Sequence, residues 1–140
     1  MKSNYEILEA RRLSFDGYEL DLHNDFDFKG FDYSVADRRL VLTWVVAKNA
    51  KGAEENSRSV SLKFFEVSEF RYMPRNANYP FTEDTCISHF GYWVDEDWSD
   101  GVIIPGAGLS IEPHWLTAID FMSGAVLAVK AEDAVAEFVI

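Results

Sequence analysis

The most extended alternation of apolar and polar residues in this chain lies in residues 59–72. Every second side chain from residue 60 to 64 is apolar, but the parity changes at Phe64-Phe65 and again between Val67 and Phe70. Side chains of a strand point alternately to its two faces, so a one-residue slip exposes the apolar set unless a bulge absorbs it. The pattern therefore predicts one long strand, bent once or twice, that serves two parts of one core.

Asp16-Gly17 is the strongest turn signal, because both central positions of a type I′ turn require positive φ. A hairpin closed by these two residues places Phe15 opposite Tyr18 and Leu13 opposite Leu20 on an apolar face. The opposite face then carries two polar pairs, Ser14 with Glu19 and Arg12 with Asp21. Because the two faces sort into apolar and polar residues, we predict a hairpin here.

Polar side chains continue to alternate with apolar ones after this turn, at Glu19, Asp21, His23, Asp25 and Asp27. Carboxylates and imidazole bind divalent cations, so Asp21, His23 and Asp25 are the candidate residues of a metal-dependent enzyme. Ligands at every second position spread along about 13 Å of strand, so a single ion would contact two of them at most. We therefore predict no metal site and interpret the row as the solvated face of an amphipathic strand.

The middle of the chain contains one further strand and two connections. Residues 40–48 are apolar at both parities, which is typical of a central strand buried on both faces. Residues 29–39 are rich in turn formers and are interpreted as a connection. Residues 73–84 predict irregular structure, in which Thr82 caps a single helical turn over residues 83–88.

The last third of the chain predicts a second hairpin. Residues 115–121 and 125–130 form its strands, and a two-residue turn lies at Ser123-Gly124. Residues 131–140 fit either a helix or one face of a strand, and we favour the strand. The whole pattern predicts a single all-β domain, an antiparallel sandwich or partly open barrel of about seven to nine strands with at most one or two short helical turns.

The composition favours a sheet-rich core and excludes several classes of protein. Aromatic residues make up 15% of the 140 residues and include 11 Phe. A single cysteine, Cys86, cannot form an intramolecular disulfide. Residues 1–12 have no apolar stretch of signal-peptide length, and the longest apolar run, residues 40–47, is far shorter than the roughly 20 residues that span a bilayer. We expect a cytoplasmic protein.

The net charge of −11 is unevenly distributed along the chain. Residues 1–70 hold ten Lys/Arg and thirteen Asp/Glu, a net charge of −3, whereas residues 71–140 hold three and eleven, a net charge of −8. Negative surfaces repel nucleic acids and anionic membranes over a distance of about 8 Å at physiological salt. We predict neither a nucleic-acid nor a membrane partner, and a basic protein is the partner that the charge favours.

The residue types that carry most catalysis are few and poorly placed. Cys86 and His89 share a face if they lie on a helical turn, but Glu83 and Asp84 beside the thiol raise its pKa and oppose its activation. His114 has no partner at a recognisable spacing, and the chain contains no glycine-rich nucleotide loop. We predict no catalytic residue and no cofactor.

The segment that follows residue 92 combines aromatic and acidic side chains at Trp93, Asp95, Glu96, Asp97, Trp98 and Asp100. Protein interfaces often combine aromatic anchors with charges that steer a complementary partner. The segment is therefore our candidate for binding a basic protein. The hypothesis predicts that Trp93 and Trp98 are exposed, and burial of both indoles would contradict it. In the alternative interpretation, both indoles hold the segment to the core and the acidic residues are merely solvated.

The spacing Val60-x-Leu62-x-Phe64, continued by Val67-x-x-Phe70, resembles that of small bacterial all-β domains of unknown function. Some of these domains are grouped with immunity proteins of polymorphic toxin systems. The resemblance implies a compact cytoplasmic binding protein, and it transfers no catalytic residue to this chain.

Three classes of function therefore stand as expectations. The first is a non-enzymatic acidic binding protein, of the immunity or inhibitor type, that covers a basic partner surface. The second is a β-barrel that binds a small apolar ligand. The third is a metal-dependent enzyme that uses the face of Asp21, His23 and Asp25.

Overall fold

The protein is an all-β sandwich, seen in a computed structural model that describes residues 1–48, 58–93, 103–104 (backbone only) and 112–139. The described residues form thirteen strands and one short 3-10 helix. The strands are β1 (Lys2–Ser3), β2 (Glu6–Leu8), β3 (Arg12–Phe15), β4 (Tyr18–Asp21), β5 (Phe26–Ser34), β6 (Arg39–Val46), β7 (Val60–Phe65), β8 (Glu69–Met73), β9 (Ile87–Trp93), β10 (Ile103–Ile104), β11 (Leu116–Phe121), β12 (Val126–Lys130) and β13 (Asp133–Phe138). The 3-10 helix spans Phe81–Thr85.

The strands form two five-stranded sheets and a smaller third sheet. Sheet I has the order β1-β13-β7-β6-β5, sheet II has the order β10-β9-β11-β12-β8, and sheet III is β2-β3-β4. All neighbouring strands are antiparallel except β1 and β13, which are parallel. One cluster of buried side chains contains residues from all three sheets, for example Leu42, Leu127 and Leu13. The all-β prediction is therefore confirmed, as a sandwich and not a closed barrel.

The first hairpin forms as predicted. Phe15 pairs with Tyr18 and Leu13 with Leu20, and the polar pairs form on the other face, Ser14 with Glu19 and Arg12 with Asp21. Asp16 and Gly17 have φ of 51° and 81°, as a type I′ turn requires. Leu13 and Leu20 are buried, so the apolar face of the hairpin belongs to the core.

Residues 59–72 form two strands instead of one bent strand. β7 lies in sheet I and β8 lies in sheet II, so the chain crosses between the sheets at residues 66–68. Glu66 has φ of 53°, which ends β7, and Val67 is buried between the sheets. The Val67 amide donates a 2.9 Å hydrogen bond to the Arg38 carbonyl. The predicted division of the segment between two parts of one core is confirmed, but a strand break, not a bulge, achieves it.

Two predictions for the neighbouring segments are wrong. Residues 29–34 belong to β5 and not to a connection, because a bulge between Phe28 and Gly30 accommodates the glycine inside the strand. β6 is a central strand as predicted, but only one of its faces is fully buried, at Leu40, Leu42 and Trp44. The other face is half-buried.

The C-terminal half follows the predicted order of elements with local shifts. β11 and β12 form the predicted hairpin, but the Phe121 amide binds the Ala125 carbonyl, which leaves a three-residue loop closed by Gly124 at φ 87°. β13 confirms the predicted strand, with Ala134 and Ala136 buried. The helical turn begins after Pro80, so Thr82 lies inside it and not at its cap. No helix among the described residues is long and apolar enough to cross a membrane.

Sheet III closes one side of the sandwich. The rings of Phe15 and Tyr18 lie 5.2 and 4.9 Å from the ring of Phe138 in sheet I. On the other side, the Phe90 amide of sheet II donates a 2.6 Å hydrogen bond to the Ala10 carbonyl. We call this part of the molecule the covered side, because sheet III contacts both large sheets there.

Candidate functional site

The proposed row of Asp21, His23 and Asp25 does not exist as one strand face. β4 ends at Asp21, whose carboxylate accepts hydrogen bonds from the amides of His23 and Asn24, both at 3.0 Å, and from Asn24 Nδ2 at 2.9 Å. Partial burial raises the pKa of Asp21, but these hydrogen bonds outweigh it and hold the pKa below its usual value. Asp21 therefore shapes the turn that leads to β5.

His23 contacts Cys86 across this turn, a pairing that sequence spacing did not predict. His23 Nδ1 lies 2.5 Å from the carbonyl oxygen of Ile87 and 3.5 Å from Cys86 Sγ. A nitrogen that donates its hydrogen to a carbonyl cannot accept the proton of a thiol. Burial is the largest cause that raises the pKa of the Cys86 thiol, and the negative charges of Glu83 and Asp27 raise it further. The contact is therefore structural, and the expected pairing of Cys86 with His89 does not form.

His89 lies instead beside Ser88 and Asp120, in a group that superficially resembles a catalytic triad. Its Nδ1 atom is 3.0 Å from Ser88 Oγ and 3.3 Å from Asp120 Oδ1. A triad needs the serine and the carboxylate on opposite ring nitrogens, so that one holds the ring while the other accepts the proton. Here both contact the same nitrogen. Burial raises the pKa of Asp120, against the influence of His89, so this carboxylate also favours its ionised form less than usual.

Two features of the described residues concern the metal-binding and ligand-binding expectations. Within those residues, no group of three or more His, Cys, Asp or Glu side chains is arranged to hold a metal ion. A partly sheltered groove beside Tyr92 and Trp115 has a volume of about 120 Å³. The predicted barrel with an enclosed apolar cavity is replaced by a sandwich.

The Trp93 side chain is buried, with 3% of its surface exposed, as in the alternative interpretation, so it is not the exposed anchor that the binding hypothesis predicts. It packs with Leu116, Ala118 and Ala128 on the face of sheet II that points away from sheet I. Trp93 therefore holds the end of β9 in place. The other predicted contact residues, Asp95, Glu96, Asp97, Trp98 and Asp100, lie outside the described residues.

A group of half-exposed rings lies between β5 and β8. These are the end strands of sheets I and II, and in strand order they are the farthest from the strands that sheet III contacts, β13 and β9. We call Phe31, Tyr33, Phe70 and Tyr72 the aromatic edge. The Phe31 ring is 5.3 Å from Phe70 and 5.2 Å from Tyr72, and Tyr33 is 4.9 Å from Phe70. Phe31 and Tyr72 are 41% and 48% exposed. Sequence patterning missed this group because its members belong to two strands of different sheets.

The chain matches no protein-family model, no curated protein and no solved structure. The resemblance to immunity proteins therefore stays a prediction.

Proposed function

We propose that this protein is a non-enzymatic binding protein of the immunity or inhibitor type, and that it covers a basic surface of a partner protein. The acidic segment of residues 95–100 supplies the first contacts, and no catalytic residue or cofactor takes part. The partner is recognised by its positive charge.

The observation that supports this proposal is the excess of negative charge in the second half of the chain. Residues 71–140 hold eleven Asp/Glu and three Lys/Arg, and two of those three cations are committed to carboxylates within the protein. Arg75 contacts Asp84 at 3.0 Å, and Arg71 pairs with Glu69. A field of this sign accelerates encounter with a basic protein and penalises acidic competitors.

The geometry of the two histidine sites favours binding over catalysis. His23 Nδ1 lies 2.5 Å from the Ile87 carbonyl oxygen and therefore does not accept the Cys86 proton, and at His89 the serine and the carboxylate contact the same ring nitrogen instead of opposite ones as in a triad.

The experiment measures how affinity for the partner depends on these acids. Proteins retained by the immobilised chain at low salt are identified, and the most basic of them is purified and titrated by calorimetry. We expect its dissociation constant to rise steeply with salt. Neutralising Asp95, Glu96, Asp97 and Asp100 to their amides should weaken binding at least about tenfold, or about 1.4 kcal/mol.

A matched control separates a local site from total charge. Neutralising Glu6, Asp16, Asp32 and Glu132 removes the same four charges from scattered exposed positions that carry no ion pair among the described residues. We expect this control to weaken binding less than about threefold. Equal losses in the two variants, or a retained partner that is acidic, would contradict the proposal.

A further inference from the structure

The groove beside Tyr92 and Trp115 reaches buried side chains at one end of the core. Its floor is a row across the inner face of sheet II, in which Thr117 of β11 pairs with Tyr92 on β9 and with Val129 on β12. Tyr92 is 7% exposed, Thr117 3% and Val129 1%. The floor therefore combines two buried hydroxyl groups with apolar surface.

The rim of the groove offers an aromatic wall and balanced side-chain charge. The centre of the Trp115 ring lies 6.3 Å from that of Tyr92. The charged side chains of the rim are one carboxylate, Glu112, and one ammonium group, Lys130. The other residues that line it are Met1, Ser3, Pro113 and Ala131. Because the floor row has no charged side chain, a charged ligand would be buried there without compensation, so the lining favours a neutral ligand with an apolar ring.

Three hydroxyl groups gather at this end of the core without a hydrogen bond between them. The Tyr5 hydroxyl is enclosed and has no hydrogen-bond partner among the described residues. Burial is the largest cause that raises the pKa of Tyr5, Tyr92 raises it further, and the Thr117 side chain lowers it, so both neighbours lie close to this hydroxyl. Burial also raises the pKa of Tyr92, and no described hydrogen bond ends on its hydroxyl. Both phenols therefore stay protonated, with unused hydrogen-bonding capacity.

The segment that carries Tyr5 is fixed by its neighbours. Asn4 Nδ2 donates a 2.9 Å hydrogen bond to the Ala136 carbonyl, and Asn4 Oδ1 accepts one of 2.7 Å from the Ala136 amide. Ser3 Oγ donates a 3.3 Å hydrogen bond to the Tyr5 carbonyl, and the Tyr5 ring packs edge-on against Phe90 at 6.5 Å. Buried hydroxyls without partners cost free energy, which a bound molecule that hydrogen bonds to them recovers.

We propose that this groove binds a small neutral aromatic molecule that carries a hydroxyl group, of which phenol is the simplest example. The ring lies against Trp115 and Val129, and the ligand hydroxyl hydrogen bonds to Tyr92 and Thr117. With its own hydroxyl oriented by the ligand, Thr117 completes a hydrogen bond to the neighbouring Tyr5. A volume of about 120 Å³ suits one ring, since an engineered cavity of about 150 Å³ binds benzene. The proposal does not depend on the proposed function.

The test compares phenol with toluene, which has the same shape and a methyl group in place of the hydroxyl. Each is titrated into the full chain, and the amide and indole signals are followed by two-dimensional proton–nitrogen NMR. We expect phenol to bind with a dissociation constant of about 1 mM or tighter, and at least about threefold more tightly than toluene. The signals of Tyr92, Thr117 and Trp115 should shift.

Two variants each remove one floor hydroxyl and keep the shape of the side chain. Thr117→Val and Tyr92→Phe should each weaken phenol binding at least about threefold and leave toluene within about twofold, so the preference for phenol is lost. Ser61→Ala is the matched control. Ser61 also has a buried hydroxyl without a described partner, but it lies on β7 and lines a different groove, with Thr43 and Lys63. This variant should bind both molecules as the native chain does.

The proposal is overturned if phenol does not bind, if toluene binds as tightly, or if Thr117→Val and Tyr92→Phe keep the preference for phenol. Any of these results would mean that the hydroxyls at the floor serve no ligand of this class. The comparison of the two molecules on the native chain needs no variant, so it decides the question even where a substitution prevents folding. Circular dichroism confirms that each variant is folded.

Discussion

The covered side and the aromatic edge differ in how the side chains between the two large sheets are shielded from solvent. A sandwich leaves its core and the free sides of its strands exposed where the two sheets end. On the covered side, sheet III buries Leu13 completely and supplies the Ala10 carbonyl to the Phe90 amide. At the aromatic edge, rings of β5 and β8 pack against one another, and about half of the Phe31 and Tyr72 surfaces remains exposed among the described residues. One side is closed by a third sheet, whereas the other leaves aromatic surface exposed.

The largest effect should come from the covered side. Leu13→Ala removes a side chain that is 0% exposed and packs between sheet III and the rest of the core, so we expect a loss of about 3 kcal/mol in the free energy of unfolding. Urea denaturation followed by circular dichroism measures it. A loss below about 1 kcal/mol would mean that sheet III contributes little to the core.

A smaller effect is expected at the aromatic edge. Phe31→Ala deletes more atoms than Leu13→Ala, yet 41% of Phe31 is already in water, so we expect a loss of about 1.5 kcal/mol. The same urea titration provides the value. If Phe31→Ala costs as much as Leu13→Ala, the rings serve mainly to complete the core, and the contrast between the two sides disappears.

The smallest effect concerns the turn between sheet III and β5, and it depends on pH. Asp21→Ala removes the carboxylate that accepts three hydrogen bonds, and it should lower the free energy of unfolding by about 1 kcal/mol at pH 7. Hydrogen bonding lowers the pKa of the folded carboxyl below its ordinary value of 3.8, so this stability is present above that value and is lost as pH falls through the folded pKa.

Thermal melting of the native chain and of Asp21→Ala at a series of pH values measures this dependence. The two melting temperatures should converge as the pH falls below about 4. Asp25→Ala is a suitable control, since the Asp25 side chain makes no described hydrogen bond or ion pair. A difference for Asp21→Ala that stays constant down to pH 2 would show that the ionised carboxylate is not the stabilising form.

Local patterning predicted the fold better than it predicted the candidate sites. The Asp16-Gly17 turn was recognised because two consecutive positive φ angles leave few other arrangements, and the four cross-strand pairs nearest to the turn all form as predicted. Residues 29–34 of β5 were missed because Gly30 is a turn former whose role changes inside a bulge. The loop of the β11–β12 hairpin was one residue longer than predicted, since both loop lengths accept a glycine at Gly124.

The sites were less predictable because their members are distant in sequence. His23 and Cys86 are 63 positions apart, and His89 and Asp120 are 31 apart. Spacing along the chain suggested Cys86 with His89, which share a face only if the segment is helical, and the segment becomes a strand at Ile87. The aromatic edge has no sequence signal of its own, because ordinary amphipathic strands supply each of its rings.

The all-β class, the first hairpin and the acidic character can be predicted from the amino-acid order, because they follow from local φ preferences, side-chain parity and a count of charges. The division of residues 59–72 between two sheets, the burial of Trp93 and the partners of each histidine become visible only in the folded chain. Those outcomes depend on how sheets pack over long sequence separations, where the free energy is gained by burial of surfaces that no single segment contains.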